Sequence, residues 1–220
     1  MHIVESIYTT LLEHFGPQNW WPAETPFEVM VGAVLTQNTS WTNVSRVIST
    51  LKSENILSPS LLHELPVDVL AEKIRSSGYY NLKAKRLKNL LSLLVEEIEQ
   101  CGSLNSFFSQ DRDVLREKLL QVKGIGPETA DSILLYAAEK PIFVIDAYTY
   151  RFLLRHGLTG EESSYQEMQE LFMDSLPEET ALFNEYHALI VRLGKEFCRK
   201  SRPLCSECPL RKFEPITLED

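Results

Sequence analysis

Apolar residues recur at three- and four-residue spacing along most of this chain. FEVMVGAVLTQ, LKNLLSLLVEEIEQ, ETADSILLYAAEK, AYTYRFLLRHG and YHALIVRLGKEFC each read as a helix with one buried face. REKLLQV reads as a further helix, just ahead of a pair of glycines. Breakers punctuate these segments at Pro22, Pro26, Pro59, Pro66, Gly78, Gly102, Pro141, Gly157 and Pro177. Only KPIFVID is short and β-branched enough to propose a strand, and it reads equally as an extended connector into the next helix. No solenoid-period repeat, low-complexity tract or long linker interrupts the pattern. The expectation is an all-α protein.

A length of 220 residues allows one large domain or two small lobes with a shared core. The net charge of −9 argues against coating nucleic acid by bulk charge, although it leaves room for a local basic face. No apolar run reaches the length of a membrane span, and MHIVESIYTT lacks the basic start of a signal peptide. A cytoplasmic location with no membrane partner is expected. Nothing signals an oligomer, so a monomer is expected. Cys198, Cys205 and Cys208 sit together near the C-terminus while Cys101 stands apart. In a cytoplasmic chain, clustered thiols point to metal rather than to disulfides.

Residues 122 to 131 read VKGIGPETAD. Gly124 and Gly126 let the chain turn tightly and expose backbone N–H groups. Pro127 suits the first helical position, which puts the helix start at Gly126–Pro127. Exposed amides at the positive end of a helix form an anion site, with Lys123 just before them. A nucleotide phosphate is one ligand, but a P-loop needs G-K-[ST] where this chain has P-E-T. A DNA backbone phosphate is the other, and a tight αα-hairpin that binds nothing is the third reading. Downstream, Asp146 in VIDAYTY is either a plain N-cap or a carboxylate held at the mouth of a groove.

The stretch LLQVKGIGPETADSILLYAAEKPIFVIDAYTYRF resembles the helix-hairpin-helix, Gly-Pro-Asp element of the endonuclease III superfamily of DNA base-excision glycosylases. The resemblance extends to LTQNT, to SGYYNLKAKRL and to the C-terminal cysteines, over roughly residues 20 to 210. It implies a six-helix barrel lobe, residues 24–137, and a lobe built from both termini, 1–23 plus 138–220, with double-stranded DNA bound in the cleft between them. Asp146 matches the catalytic aspartate. A carboxylate there can stabilise an oxocarbenium-like sugar and orient the attacking water. The bifunctional branch carries a lysine after the hairpin, and that position matches Glu128. A carboxylate cannot form the Schiff base of a lyase step, so a monofunctional enzyme that leaves an abasic site is expected. Glu128 and Asp131 would cap the helix start and face the pocket or solvent.

NWWPAETPFE and LTQNTSWTNV place Trp20, Trp21 and Trp41 in one lobe. Aromatic rings stack on flipped bases, and indoles favour cations, which N-methylated purines are. The chain is similar to the 3-methyladenine glycosylase branch, and by that resemblance Trp20 and Trp41 sandwich the base with Glu128 near the pocket. Gln37 matches the residue that fills the gap left by the flipped base, and Tyr79 a second wedge. Glycosylases for mismatched or deaminated bases also lack the lysine, and a non-catalytic helix-hairpin-helix module would bind DNA without turnover.

In CRKSRPLCSECPLRKFE the C-x6-C-x2-C spacing matches the first three ligands of the superfamily's [4Fe-4S] site. Glu214 stands where the fourth cysteine is expected. The expectation is a cluster completed by Glu214 or solvent. Zinc and a metal-free loop stay open, although three cysteines without a nearby histidine suit zinc poorly. Arg199, Lys200 and Arg202 form a basic loop between the cysteines, suited to phosphates. Lys83, Lys85, Arg86 and Lys88 form a second basic run.

Overall fold

The computed structural model describes residues 2–20 and 23–213. Among them the chain forms α1 (Ile3–Phe15), α2 (Pro26–Leu35), α3 (Trp41–Ser53), α4 (Pro59–Glu64), α5 (Val67–Lys73), α6 (Tyr80–Cys101), α7 (Leu104–Phe108), α8 (Arg112–Gln121), α9 (Pro127–Tyr136), α10 (Ala147–Arg155), α11 (Tyr165–Met173) and α12 (Thr180–Glu196). No strand occurs among the described residues, as the helical spacing predicts. KPIFVID is an extended connector: the Phe143 carbonyl accepts a hydrogen bond from Gln169 Nε2 at 2.6 Å, in place of a neighbouring strand. No described helix is long and apolar enough to cross a membrane. The chain divides into two compact units, Met1–Trp21 with Pro141–Asp220, and Pro22–Lys140.

In the unit Pro22–Lys140, α2 forms the centre. Thr25 caps it by accepting from Glu28 N, Pro26 fills the first turn, and every residue from Phe27 to Leu35 is buried. A helix apolar on all sides needs cover on all sides, and α3, α6 and α9 supply it. Its one buried acid, Glu28, is neutralised by Lys52 at 2.7 Å. The 22-residue α6 packs on α4, α5 and α7. Helices α8 and α9 pair through a fork in which Arg116 Nε donates to Asp131 Oδ1 at 2.7 Å and the second guanidinium nitrogen donates to Oδ2 at 3.2 Å. Asp131 is fully buried, so it faces neither pocket nor solvent. It clamps the hairpin's two helices together.

In the other unit, α12 packs on α1 and α10. Phe143 stacks on Phe172 with ring centroids 3.9 Å apart and presents its edge geometry to Phe183 and Tyr186. Such aromatic pairs add about 0.5–1.5 kcal/mol each beyond area burial. Tyr186 OH donates to the Val4 carbonyl at 2.9 Å and ties α1 to this core. Gly194 admits α10, since a Cβ there would lie 2.3 Å from Tyr148 Cδ1.

Candidate functional site

Asp146 sits at the end of the extended connector, where α10 begins, and its two oxygens have different surroundings. Oδ1 accepts from Tyr148 N at 3.0 Å, Thr149 N at 2.8 Å and Thr149 Oγ1 at 2.9 Å. Oδ2 lies 3.7 Å from His187 Nε2, a charge-pair approach longer than a hydrogen bond. The Asp146 side chain is 13% exposed. Burial pushes its pKa up, but His187 and the Thr149 donors outweigh burial and hold it below the ordinary aspartate value. The group is therefore an anion at neutral pH, fixed through one oxygen. The Trp20 ring lies 5.7 Å from His187, tilted by 41°, so Trp20, His187 and Asp146 form a consecutive row within one unit. The sequence reading missed His187. Its signal was a polar residue inside YHALIVRLG, a helix segment buried almost throughout.

The other unit carries the hairpin. Gly124 has φ +101°, and a Cβ there would lie 2.4 Å from Arg86 Cγ, so only glycine fits. Gly126, expected to share in the tight turn, has an ordinary φ of −97° and open space where a Cβ would lie. It is the N-cap of α9, with no side-chain cap hydrogen bond. The first amides of α9 thus depend on a partner other than a cap residue. Lys123, Gly124, Gly126 and Glu128 are exposed.

Three motifs that are distant in sequence meet around this hairpin. Gln37 Nε2 donates to the Gly124 carbonyl at 3.2 Å and to Thr129 Oγ1 at 2.9 Å, while its Oε1 accepts from Arg86 at 2.5 Å. Thr39 Oγ1 donates to the Ser77 carbonyl at 2.5 Å. Lys83 Nζ donates to the Leu35 and Ser77 carbonyls, both at 2.7 Å. LTQNT, SGYYN and VKGIG are thereby one connected surface. From it Tyr79 projects, 72% exposed and held at φ +47°, a left-handed conformation that an aromatic residue rarely keeps. Tyr80 instead stacks under Arg75 at 5.3 Å.

The second basic run is corrected here. Lys83 is buried, and burial, helped by repulsion from Arg86, lowers its pKa to about 8. Lys88 donates to the His63 and Leu65 carbonyls. These cations cap backbone carbonyls, and Lys85 is the exposed member of the run. The tryptophans are corrected too. Trp20 belongs to one unit and the half-buried Trp41, first residue of α3, to the other, because the compact units part between residues 21 and 22. Trp21 lies outside the described residues.

Cys198, Cys205 and Cys208 line a common cavity of about 390 Å3 together with Arg155, His156, Phe197, Arg211 and Phe213. Burial raises the Cys208 thiol pKa, and the nearby Cys198 and Cys205 sulfurs add to the rise. Arg155 donates to Cys198 Sγ at 3.3 Å and to the Arg199 and Lys200 carbonyls, and Arg151 Nε donates to the Cys198 carbonyl at 2.7 Å. These bonds shape the loop so that Arg199, Lys200 and Arg202 are exposed. No three His, Cys, Asp or Glu among the described residues are grouped tightly enough for a single ion. Cys101 lies in the other unit and donates to the Ser103 carbonyl. Glu214 lies outside the described residues.

The description HhH-GPD superfamily base excision DNA repair protein matches residues 31–178. A Methanocaldococcus jannaschii protein, named provisionally as a DNA repair glycosylase, is 48% identical over 213 residues and spans 96% of this chain and 95% of its own length. The crystal structure of H. pylori 3-methyladenine DNA glycosylase, MagIII, bound to 1,N6-ethenoadenine, aligns with a TM-score of 0.74 at 32% identity over 88% of this chain and 96% of that one. A non-covalent endonuclease III–DNA complex aligns with a TM-score of 0.80 over 97% and 95%. At 24% identity that last likeness is one of fold.

Proposed function

This chain belongs to the HhH-GPD superfamily of base excision DNA repair proteins and is a DNA glycosylase of that superfamily, and we propose that it is a monofunctional one that releases alkylated purines such as 3-methyladenine from double-stranded DNA. The observation that carries the reading is the asymmetric carboxylate of Asp146, locked through Oδ1 with Oδ2 beside His187. As the base departs, the sugar acquires oxocarbenium character, which a fixed carboxylate stabilises and which water then attacks at C1′. The carboxylate orients that water, and its proton leaves as the abasic hydroxyl forms. A cationic N-methylated purine leaves as a neutral base and needs no acid from the protein. Trp20 next to His187 is the aromatic surface we assign to the base. The similarity to MagIII, a 3-methyladenine DNA glycosylase seen bound to the modified purine 1,N6-ethenoadenine, supports the same reading.

The hairpin amides at Gly124 and Gly126, with Lys123, would hold a backbone phosphate. Arg199, Lys200 and Arg202 would hold another. Exposed Tyr79 would wedge the duplex and Gln37 would face the orphaned base. Glu128 at the second position of α9 supplies no amine, so strand cleavage by a Schiff base is not expected. Cys198, Cys205 and Cys208 would hold a [4Fe-4S] cluster, which when bound crosslinks the loop that carries the arginines. The test is chromatography of bases released from methylated duplex DNA, with borohydride added in parallel. Free 3-methyladenine or 7-methylguanine without a trapped protein–DNA adduct is the expected result. Release only from mismatch or uracil duplexes would replace the substrate class, a trapped adduct would overturn monofunctionality, and binding without any release would leave a DNA-binding module.

A further inference from the structure

The cavity of the cysteine loop holds one more ligand type. His156, the residue that ends α10, lines it alongside the three thiols. Its Nδ1 lies 2.5 Å from the Phe213 carbonyl oxygen. A carbonyl only accepts, so Nδ1 carries the hydrogen and the neutral ring keeps its lone pair on Nε2. Metal-binding histidines are held in this way, with the second ring nitrogen donating to a carbonyl or carboxylate. The Phe152 ring, 5.5 Å from the imidazole, packs against it. Phe213 immediately precedes position 214, where the resemblance to the superfamily implies a fourth thiol and the chain has glutamate. The hydrogen bond therefore places an imidazole at the end of the loop that lacks its cysteine.

We infer that His156 Nε2 is the fourth ligand of the iron–sulfur cluster held by Cys198, Cys205 and Cys208. The inference rests on the cluster reading above. Histidine ligation of iron–sulfur centres is chemically sound, and replacing a thiolate by a neutral ring leaves the cluster less negative and easier to reduce. Arg155, donating to Cys198 Sγ, acts in the same direction. Cys3His is also a zinc set, and the count of iron, sulfide and zinc per chain separates the two.

The experiment uses the full chain purified without oxygen. Iron, sulfide and zinc are counted per chain, the redox midpoint is titrated, and the reduced cluster is probed by pulsed EPR after 15N-histidine labelling. The native chain is expected to hold about four irons and four sulfides, with a nitrogen coupling that changes on labelling. His156→Asn keeps a donor for Phe213 and is expected to lose iron and the coupling. His156→Cys is expected to restore full iron, without the coupling and at a lower midpoint. Glu214→Ala is expected to match the native chain. A full cluster without nitrogen coupling, unaffected in His156→Asn, overturns His156 as ligand and leaves the cluster standing. A native chain with no iron, or with one zinc, overturns the cluster reading itself. The coupling is read in the native chain, so misfolding of a variant does not decide the outcome.

Discussion

Asp146→Asn would separate the capping of α10 from the catalytic role proposed for the same carboxylate. Oδ1 accepts three hydrogen bonds at the start of α10, and an asparagine carbonyl accepts the same three. Asparagine and aspartate cap helices about equally, so with the His187 attraction lost and the burial cost of the charge relieved together, the net loss to the fold is the charge–dipole attraction, about 0.3–1 kcal/mol. For a chain of this size that is about 1–4 °C in Tm. The second oxygen becomes a neutral amide nitrogen facing His187, and on the proposed mechanism the negative charge opposite the developing sugar cation is gone. Removing one preorganised electrostatic group from a desolvated site costs about 2.7–4 kcal/mol, or about 100- to 1000-fold in rate. Asp146→Ala also removes the cap, for a further stability loss of about 0.5–2 kcal/mol. The assay is single-turnover release of methylated purine at saturating protein, with duplex affinity from fluorescence anisotropy and Tm from circular dichroism. The asparagine variant should bind as the native chain does, melt within a few degrees of it, and release base slowly. A release rate within about tenfold of native, under about 1.4 kcal/mol, would show that Asp146 is a cap alone. A collapse of Tm together with the rate would refute the division of labour between the two oxygens.

Because the Asp146 pKa is below the ordinary value of 3.8 when folded, the unfolded chain takes up that proton first as pH falls. Its stabilising share is complete above the ordinary value and is lost as pH drops through the lower folded value, so acid titration of Asp146→Asn should unfold less steeply than the native chain. Lys83 has the opposite window. It titrates near 8 folded against 10.5 unfolded, so its share of stability rises as pH climbs between them, and Lys83→Met should flatten that slope in urea melts. Gly124→Ala should cost about 2–4 kcal/mol from left-handed strain and the clash with Arg86, whereas Gly126→Ala should cost about 0.5–1 kcal/mol as a poorer cap; equal losses in urea melts would contradict the geometry. Tyr79→Gly should relieve a left-handed aromatic and raise stability by up to about 1 kcal/mol, while weakening binding to lesion duplex more than to intact duplex; loss of stability instead would make Tyr79 a packing residue.

The helices were legible because a buried face writes itself into local spacing. FEVMVGAVLTQ, ETADSILLYAAEK and YHALIVRLGKEFC all fall within or across α2, α9 and α12. The helix start at Gly126–Pro127 was legible because proline and glycine act through their own backbone angles. What failed were contacts between residues distant in sequence. His187 lies 41 positions from Asp146 by numbering, with no periodic relation to it. His156 read as the tail of AYTYRFLLRHG, since nothing local shows that Phe213 returns to it. Asp131 read as an acid facing the pocket or solvent because its partner Arg116 is on the preceding helix. Asp146 was readable as a cap, and the three hydrogen bonds to Oδ1 are that cap, while its catalytic role is the proposal that the Asp146→Asn assay tests.

The basic run on α6 shows why charge is a poor guide to a DNA-facing surface. Loops end in carbonyls that need donors, and a long cationic side chain from an adjacent helix can supply one to two of them at once. Lys83, Arg86 and Asn89 follow at three-residue intervals along α6. Lys83 reaches the Leu35 and Ser77 carbonyls, Arg86 reaches Gln37, and Asn89 Nδ2 donates to the Lys123 carbonyl at 2.8 Å. One row of side chains thus carries the LTQNT, SGYYN and VKGIG loops in succession. Gln37 completes the arrangement by bridging the first loop to the third, with both ends of its amide engaged. For Gln37 to meet an orphaned base, it must exchange at least one of these partners, and Arg86 and Thr129 are the groups it would leave. The same exchange would loosen the contact between Gln37 and Gly124, so on the proposed reading insertion at the lesion would be coupled to the set of the hairpin through a single side chain.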